Sequence, residues 1–316
     1  MGATPRGCAG RHGTSRGTSR SATLRLVKPS AFDYHAPSSA DEAVALLAEL
    51  GDDAKVLAGG QSLIPMLSLR LASFGHLVDI GRISELAGID TAPDAVTIGA
   101  GTTEAAIETS AAVEAAVPLL ARATPLIGHF QIRNRGTLGG SIAHADPAAE
   151  YPAVAVALDA EIEAMSPAGG RWIPAGDLFT GFWSTALEPD ELLVRVRFPV
   201  WTGRCGFAVR EFARRHGDFA VAGAAVAVRL SANDTIERCS IGLIGLGPTP
   251  IRATRAEAAA VGQPASIAAA DLGALAVVDL DQVPSDVHGP PEYRKRVGAV
   301  MVARALADAI AEATSA

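Results

Sequence analysis

The chain has 316 residues, of which 49% are hydrophobic, and its formal net charge is −7. Its longest stretches of small apolar residues, 153–158 and 219–228, are shorter than the roughly 18 to 20 residues that a membrane-spanning helix needs. These values exclude an integral membrane protein. The length favours two or three packed units over a single one.

The charge is unevenly distributed along the chain. Residues 1–25 contain five arginines and no acid, whereas the remainder carries 22 bases against 34 acids. A body that acidic argues against nucleic acid as a partner, because phosphate binding depends on basic side chains. The segment 1–26 is rich in Arg, Gly, Ser and Thr, so we expect a disordered leader. A transit peptide and a mis-assigned start codon would both explain this leader. A true start near Val27 would remove the leader altogether, which favours the mis-assigned start codon.

Cysteine and histidine are too scarce and too scattered to predict a metal centre. Cys8, Cys205 and Cys239 show no CxxC spacing, so neither a disulfide framework nor a zinc site is indicated. An iron–sulfur cluster normally needs four thiolates, so any such cluster must lie in another polypeptide. His144 and Asp146 form a close pair of a histidine with an acid, and we do not interpret it as a metal site.

The first predicted unit alternates helix and strand. Ser39 and Glu42 form a capping box for a helix that ends at Gly51. The pattern then predicts a strand at 55–58, a glycine turn at 59–62, a helix at 63–71 and a strand at 77–80.

The second predicted unit also mixes helices and strands. It comprises a strand at 95–98, helices at 103–111 and 113–124, a glycine-rich stretch at 136–141, and strands at 151–158, 161–165 and 192–198. A boundary is indicated at 199–206. Beyond it the pattern predicts strands at 206–214, 220–230 and 236–246 and helices at 255–260, 267–275 and 291–313. The fold class is therefore α+β.

Two glycine stretches, 59–62 and 139–141, are the strongest candidates for a binding site. In each, a serine follows a Gly-Gly pair near a helix or turn, which places backbone N–H groups and a hydroxyl on one concave surface suited to phosphate. Neither stretch reads as GxGxxG or as a P-loop. Two tight turns that only allow close backbone packing explain them equally well. If both served one ligand, they could hold the two phosphates of a dinucleotide.

The same residues resemble a known family. Ala58-Gly-Gly-Gln-Ser-Leu-Ile-Pro65 and Gln131-Ile-Arg-Asn-Arg-Gly-Thr-Leu-Gly-Gly-Ser-Ile142 are similar to the two flavin-binding motifs of the FAD-binding medium subunit of molybdenum hydroxylases, the xanthine dehydrogenase superfamily. The resemblance covers residues 28–314. Within that family it is greatest to the medium chain of aerobic carbon monoxide dehydrogenase.

The resemblance implies a fold and its domain limits. We expect an FAD-binding domain of the PCMH type, similar to vanillyl-alcohol oxidase, at 27–203, with αβ subdomains at about 27–80 and 81–203. A C-terminal α+β domain of the carbon monoxide dehydrogenase flavoprotein type, with a three-stranded antiparallel sheet, is expected at 204–316.

The resemblance also implies which residues contact a non-covalently bound FAD. The expected set is Leu57, Ala58, Gly59, Gly60, Gln61, Ser62, Leu63, Ile64, Thr137, Leu138, Gly139, Gly140, Ser141, Glu150, Asp218 and Phe219. Thr137 to Ser141 are expected to hold the pyrophosphate through backbone N–H groups, as are Ala58 to Ser62. Glu150 replaces the family's usual Asp near the adenosine, and Asp218-Phe219 falls where a Tyr commonly lies against the isoalloxazine. No catalytic residue is predicted.

Several other side chains have candidate roles. Arg133 and Arg135 flank the second glycine stretch and could add positive charge there, although paired or solvated arginines are the commoner case. Trp172, Trp183 and Trp201 are expected to be core or interface anchors.

The function implied by the resemblance is electron transfer. A small partner subunit would carry [2Fe–2S] clusters and a large one the molybdenum cofactor, in a dimer of heterotrimers. The complex would be cytoplasmic, associated with the inner face of the membrane through its acceptor. Three alternatives stay open: the FAD subunit of a purine, N-heterocycle or aldehyde dehydrogenase, a stand-alone flavoprotein oxidase, and an assembly subunit without flavin.

Overall fold

The computed structural model describes residues 28–316, so the predicted leader at 1–26 lies outside the described residues. The first unit is a parallel sheet with helices. It contains β1 (Asp33–His35), α1 (Ala40–Leu50), β2 (Ala54–Leu57), α2 (Leu63–Ser68) and β3 (His76–Asp79). β3 lies between β1 and β2 and pairs with both in parallel. As predicted, Ser39 accepts the N–H of Glu42, and Gly51 ends α1 with a φ of 56°.

The middle unit is built on a five-stranded antiparallel sheet. It contains β4 (Ile89–Thr91), β5 (Ala95–Gly99), α3 (Glu104–Glu108), α4 (Ala111–Ala116), α5 (Pro118–Ala123), α6 (Phe130–Arg133), α7 (Leu138–His144), α8 (Glu150–Ala157), β6 (Glu161–Ser166), β7 (Gly169–Pro174), α9 (Ala175–Leu178), β8 (Phe179–Gly181), β9 (Ser184–Thr185) and β10 (Leu192–Pro199). The strand order is β4-β5-β10-β6-β7, and β8 and β9 form a separate hairpin.

Two predictions for the middle unit were wrong. The segment 151–158, predicted as a strand, forms most of α8, and every residue of that helix is buried. A short run that is apolar on all sides has no periodicity to distinguish a buried helix from a buried strand. The helix predicted at 113–124 is divided in two, because Pro118 starts α5 and has no N–H to continue α4.

The C-terminal unit is a second antiparallel sheet covered by helices. It contains β11 (Arg204–Phe212), β12 (Ala222–Leu230), β13 (Ile236–Ile244), β14 (Ile251–Arg252), α10 (Thr254–Ala260), α11 (Ala269–Val277) and α12 (Pro291–Ser315). The strand order is β11-β12-β13-β14, so the sheet has four strands rather than the predicted three. β14 has two residues, too few for an alternating pattern to reveal it. The α+β fold class is confirmed.

The middle and C-terminal units pack directly against each other through α8. A buried cluster of Ala153 on α8 with Ala220 and Ile244 joins the two units. Gly242 on β13 lies against the carbonyl of Ala153, which leaves no room for a side chain at that position. Among the helices of residues 28–316, none combines the length and apolar character needed to cross a membrane.

The contact at Gly242 predicts a large cost for a single methyl group. Gly242→Ala should lower the free energy of unfolding by about 1 to 3 kcal/mol, because the added Cβ would overlap the Ala153 carbonyl and force the units apart. Urea unfolding measures this change. Gly176→Ala is the matched control, since its Cβ would meet no atom within 4 Å. Equal losses in both variants would contradict the packing described.

Candidate functional site

The first glycine stretch forms a concave loop of backbone N–H groups between β2 and α2. None of the N–H groups of residues 59 to 63 donates to an acceptor within residues 28–316. Gly60 has a φ of +73°, a conformation that favours glycine. The side chain of Gln61 donates to the carbonyl of Gly59 at 3.1 Å and so stabilises the loop itself. Successive N–H groups without protein acceptors are suited to bind an anion.

The second glycine stretch is organised differently. Thr137 caps α7, and its Oγ1 accepts the N–H of Gly140 at 3.1 Å. The N–H groups of Leu138, Gly139 and Ser141 donate to the carbonyls of Thr102, Ala100 and Thr137 respectively. Four of the five N–H groups expected to wrap a phosphate therefore already have protein acceptors. The hydroxyl of Ser141 makes no hydrogen bond to another described residue.

The two stretches lie against each other. Gly59 packs on the carbonyl of Arg135 and on Gly136, and a Cβ at Gly140 would lie 3.4 Å from the Cβ of Ala58. Ala58, Gly139 and Gly140 line one cleft of about 280 Å³ together with Lys55. Of the two alternatives for these stretches, close packing is thus observed, and the same residues remain the candidates for a ligand site.

A second cavity lies at the junction of the middle and C-terminal units. Its volume is about 480 Å³, and its walls include Asp146, Pro147, Phe182, Asp218 and Phe219. The predicted Asp218-Phe219 pair therefore faces a different cavity from the glycine stretches. α7 connects the two, because Gly140 lines the cleft and Asp146 follows the end of that helix. Seven helical residues correspond to about 10 Å, a separation that an extended dinucleotide can bridge.

A hairpin that the sequence did not predict covers part of this junction. β8 and β9 present Phe182 and Trp183 at their turn, and Trp183 has a φ of +55°. The indole Nε1 of Trp183 donates to Asp146 at 3.1 Å, and its ring stacks on His144 with centroids 5.8 Å apart. Burial lowers the pKa of His144. Trp183 thus anchors the hairpin, as the anchor interpretation expected, while 44% of its surface is exposed.

Three carboxyl groups are buried near the start of α8. Burial, and after it the negative charge of the neighbouring Glu211, raise the pKa of Glu150 to about 8. Burial also raises the pKa of Glu104 and of Glu211 to about 7. The Oε2 atoms of Glu104 and Glu211 have no hydrogen-bond partner among the described residues. Only Glu150 was predicted from the sequence. Glu104 follows a capping threonine, which hints at its helix position but not its burial, and no sequence signal marks Glu211.

The two arginines beside the second stretch are not free charges for a ligand. Arg133 donates to both carboxylate oxygens of Glu108, at 2.7 and 3.0 Å, and to the carbonyl of Ile127. It therefore ties α6 to α3. Arg135 is exposed, and its backbone carbonyl, rather than its guanidinium, contacts the first stretch.

These groups match the chemistry of a dinucleotide. The unbonded N–H groups of 59–63 and the hydroxyl of Ser141 are donors for phosphate oxygens, and Lys55 adds a positive charge to the cleft. The unpartnered oxygens of Glu104 and Glu211 are further buried acceptors of a kind that is rare in native structures, and neither residue lines the cleft or the second cavity. The residues present therefore fit FAD.

Comparisons with known proteins agree with this site. The sequence profile described as "FAD binding domain in molybdopterin dehydrogenase" matches residues 30–201. A second profile, "CO dehydrogenase flavoprotein C-terminal domain", matches residues 207–309.

Individual relatives match over nearly the whole chain. The carbon monoxide dehydrogenase medium chain of Hydrogenophaga pseudoflava is 42% identical over 88% of this chain and 96% of its own length. The 6-hydroxypseudooxynicotine dehydrogenase complex subunit alpha of Paenarthrobacter nicotinovorans is 43% identical over 90% of this chain and 96% of its own length. A solved structure of the Hydrogenophaga pseudoflava carbon monoxide dehydrogenase, which lacks the Mo-pyranopterin moiety, superimposes with a TM-score of 0.87 at 43% identity, covering 90% and 99% of the two chains.

The fold and the site define the FAD-binding component of an oxidoreductase. More specifically, this chain belongs to the family of FAD-binding medium subunits of carbon monoxide dehydrogenase-type molybdenum hydroxylases. The family resemblance seen in the two glycine motifs is confirmed.

The contact between the two glycine stretches predicts how to block cofactor binding. Gly140→Leu should weaken FAD binding by at least about 100-fold, since its side chain would point at Ala58 and fill the cleft. Titration of the FAD-free chain with FAD, followed by flavin fluorescence, measures the dissociation constant. Gly176→Leu is the control because open space surrounds that position. Unchanged affinity in Gly140→Leu would place FAD elsewhere.

The buried carboxyls predict a pH-dependent stability of the FAD-free chain. Because the pKa of Glu150 is about 8 in the folded chain and 4.5 ordinarily, the folded chain retains a proton that the unfolded chain releases between those values. The free energy of unfolding should therefore fall as pH rises from about 5 to 8, by about 1.4 kcal/mol for each unit of pKa difference. Glu150→Gln should flatten this slope in urea titrations. Glu49→Gln, at an exposed site, should leave the slope unchanged, and equal slopes in all three proteins would refute the assignment.

Proposed function

We propose that this chain is the electron-transfer subunit of an aerobic carbon monoxide dehydrogenase. It would accept electrons from [2Fe–2S] clusters in a small partner subunit and pass them to an external acceptor. The large partner would hold the molybdenum cofactor, and two heterotrimers would form the complete assembly. Its place would be the cytoplasm, at the inner face of the membrane where its acceptor lies.

One observation carries the proposal. The two glycine stretches meet in a single cradle with unbonded N–H groups, on a chain that spans 96% of the carbon monoxide dehydrogenase medium chain of Hydrogenophaga pseudoflava. Bound FAD supplies reversible electron transfer in both one- and two-electron steps. The protein's part is to bind, orient and shield that group.

We assign the binding roles along the path from the cleft to the second cavity. The N–H groups of residues 59–63 and the hydroxyl of Ser141 would hold the pyrophosphate. Glu150 would accept hydrogen bonds from the adenosine part, and Phe219 would lie against the isoalloxazine from the C-terminal unit. The proposed contact set is Leu57, Ala58, Gly59, Gly60, Gln61, Ser62, Leu63, Ile64, Thr137, Leu138, Gly139, Gly140, Ser141, Glu150, Asp218 and Phe219. The proposed domain limits, 27–203 and 204–316, place the division between β10 and β11.

Features of the chain itself favour partner subunits that hold the other cofactors. Three cysteines are fewer than the four thiolates that an iron–sulfur cluster normally takes, so the clusters would be held elsewhere. α2 and the residues after it expose the apolar side chains of Ile64, Leu69 and Leu71, between 40% and 68%. A partner covering this face would lie directly beside the first glycine stretch.

The substrate is the least constrained part of the proposal. Relatives that are 42% and 43% identical carry the names of a carbon monoxide dehydrogenase and a 6-hydroxypseudooxynicotine dehydrogenase. Because these two identities are nearly equal, we keep one alternative for this chain. It would be the FAD subunit of an N-heterocycle, purine or aldehyde dehydrogenase. The resemblance of the sequence motifs and the structural match favour carbon monoxide.

Purification of the complex from its native cell tests the proposal. We expect the chain to co-purify with a larger and a smaller subunit, and carbon monoxide to drive reduction of an artificial dye by the complex. The chain alone should bind FAD and turn over no substrate, because it lacks the site where substrate would be oxidised. Dye reduction with purines, N-heterocycles or aldehydes, but not with carbon monoxide, would support the alternative.

Two further outcomes separate the remaining hypotheses. Turnover of a substrate by the chain alone would indicate a stand-alone oxidase. A complex assembled with Gly140→Leu that lacks FAD and still reduces dye at the wild-type rate would assign the chain an assembly role.

A further inference from the structure

Arg294 is a buried charge in the wall of the second cavity, away from the glycine stretches. It lies in the first turn of α12, with 4% of its surface exposed. Its Nη2 donates to both carboxylate oxygens of Asp286, at 2.8 and 2.7 Å. This pair neutralises the guanidinium and fixes its orientation, because a bidentate pair permits little rotation.

The other end of the guanidinium holds two backbone carbonyls from different segments. Nη1 of Arg294 donates to the carbonyl of Val221 at 2.6 Å and to that of Gly245 at 3.3 Å. Gly245 in turn donates its N–H to the carbonyl of Pro147 at 2.8 Å, in the segment that follows α7. One side chain therefore links α12, the start of β12, the end of β13 and, through Gly245, the middle unit.

Val221 closes the loop that carries the proposed flavin contacts. Its N–H donates to the carbonyl of Phe212 at 2.7 Å, which joins the two ends of the connection between β11 and β12. Asp218 and Phe219 lie three and two residues before it, respectively. Phe219 is 59% exposed, so its own packing holds it weakly, and its position depends on the backbone on either side.

The part of the same loop that follows β11 is anchored on the middle unit. Gly217 packs against Gly128, and the ring of His216 stacks on that of His129 with centroids 5.8 Å apart and planes 9° from parallel. The segment 218–220 thus lies between this contact and the Arg294 contact, and Ala220 at its end is itself buried with Ala153 and Ile244. Of these anchors, the Arg294 contact is the charge-assisted one.

We propose that Arg294 is a positioning residue for the flavin: by holding the carbonyls of Val221 and Gly245 it sets where Phe219 lies against the isoalloxazine. This inference rests on the proposed function only in taking Phe219 as a flavin contact. A charge-assisted hydrogen bond to a carbonyl is stronger and more directional than a neutral one. Removing this hydrogen bond frees the part of the loop that leads into β12. It leaves unchanged the two glycine stretches that would bind the phosphates.

The test uses the full chain loaded with FAD. Arg294→Met, Arg294→Lys and Asp286→Asn are compared with wild type by visible circular dichroism of the bound flavin, by its midpoint potential and by the FAD dissociation constant. We expect Arg294→Met to change the flavin spectrum and potential and to weaken FAD binding by roughly three- to tenfold, the size expected for one lost charge-assisted hydrogen bond. Arg294→Lys should recover part of this change, because it keeps a donor for Val221.

A matched control separates positioning from general stability. Arg255→Met removes an exposed ion pair, to both carboxylate oxygens of Asp279 at 2.9 and 2.8 Å, from α10, which packs mainly on α11 and β13. It should leave the flavin's spectrum and potential unchanged. A double-variant cycle adds a direct reading: in a Phe219→Leu background, Arg294→Met should have little further effect on the spectrum, because both changes act on one contact.

Each outcome is decisive for the inference. A folded Arg294→Met chain with wild-type flavin spectrum, potential and affinity overturns it, whatever the change in melting temperature. If that variant does not fold, Asp286→Asn decides the question, since it retains Arg294 but releases its orientation, and wild-type flavin properties there overturn the proposal. Failure of the wild-type chain to bind FAD would refute the cofactor assignment instead. A wild-type complex that binds FAD but does not oxidise carbon monoxide would refute only the proposed function.

Discussion

The site depends on direct contact between two backbone loops from different units. Gly59 packs on the carbonyl of Arg135 from the middle unit, and within the middle unit Gly139 packs on Ala100, with no space for a side chain at either glycine. This contact brings the end of the parallel sheet against the start of α7. It also leaves the N–H groups of residues 59–63 without an acceptor among residues 28–316. Close packing of glycines is therefore the condition for binding here and not an alternative to it.

The rest of the architecture holds that contact in place. It also buries several carboxyl groups. α8 is buried on all sides between the middle and C-terminal sheets, and Glu150 opens it. Three carboxyl groups with raised pKa values stand near one another, two of them with an oxygen lacking any partner in residues 28–316. Burial of this kind is unfavourable in a chain without its ligand, because a carboxylate away from water needs hydrogen-bond donors. The interior is therefore suited to a polar ligand.

The two cavities differ in the parts of the chain that line them. The cleft is lined by Gly139 and Gly140 together with larger side chains such as Lys55 and Phe74, whereas the second cavity is lined by the loop of Phe219, by Phe182 and by the segment around Asp286. Side chains on such loops change more readily than packed glycines. Relatives named for different substrates share over 40% identity with this chain, as expected if a medium subunit is constrained by its cofactor.

The sequence alone determined the glycine motifs, the capping box at Ser39, the α+β class and the family, because local chemistry and motif spacing are written in consecutive residues. It could not determine that 151–158 is helical, that a fourth strand closes the C-terminal sheet, or that Arg133 pairs with Glu108. Glu104, Glu211 and Arg294 acquire their roles only from burial and from partners more than 40 residues away in some cases, such as Gly245 for Arg294. Tertiary structure decided these features, since burial and long-range contacts depend on which segments meet, and no local pattern records that.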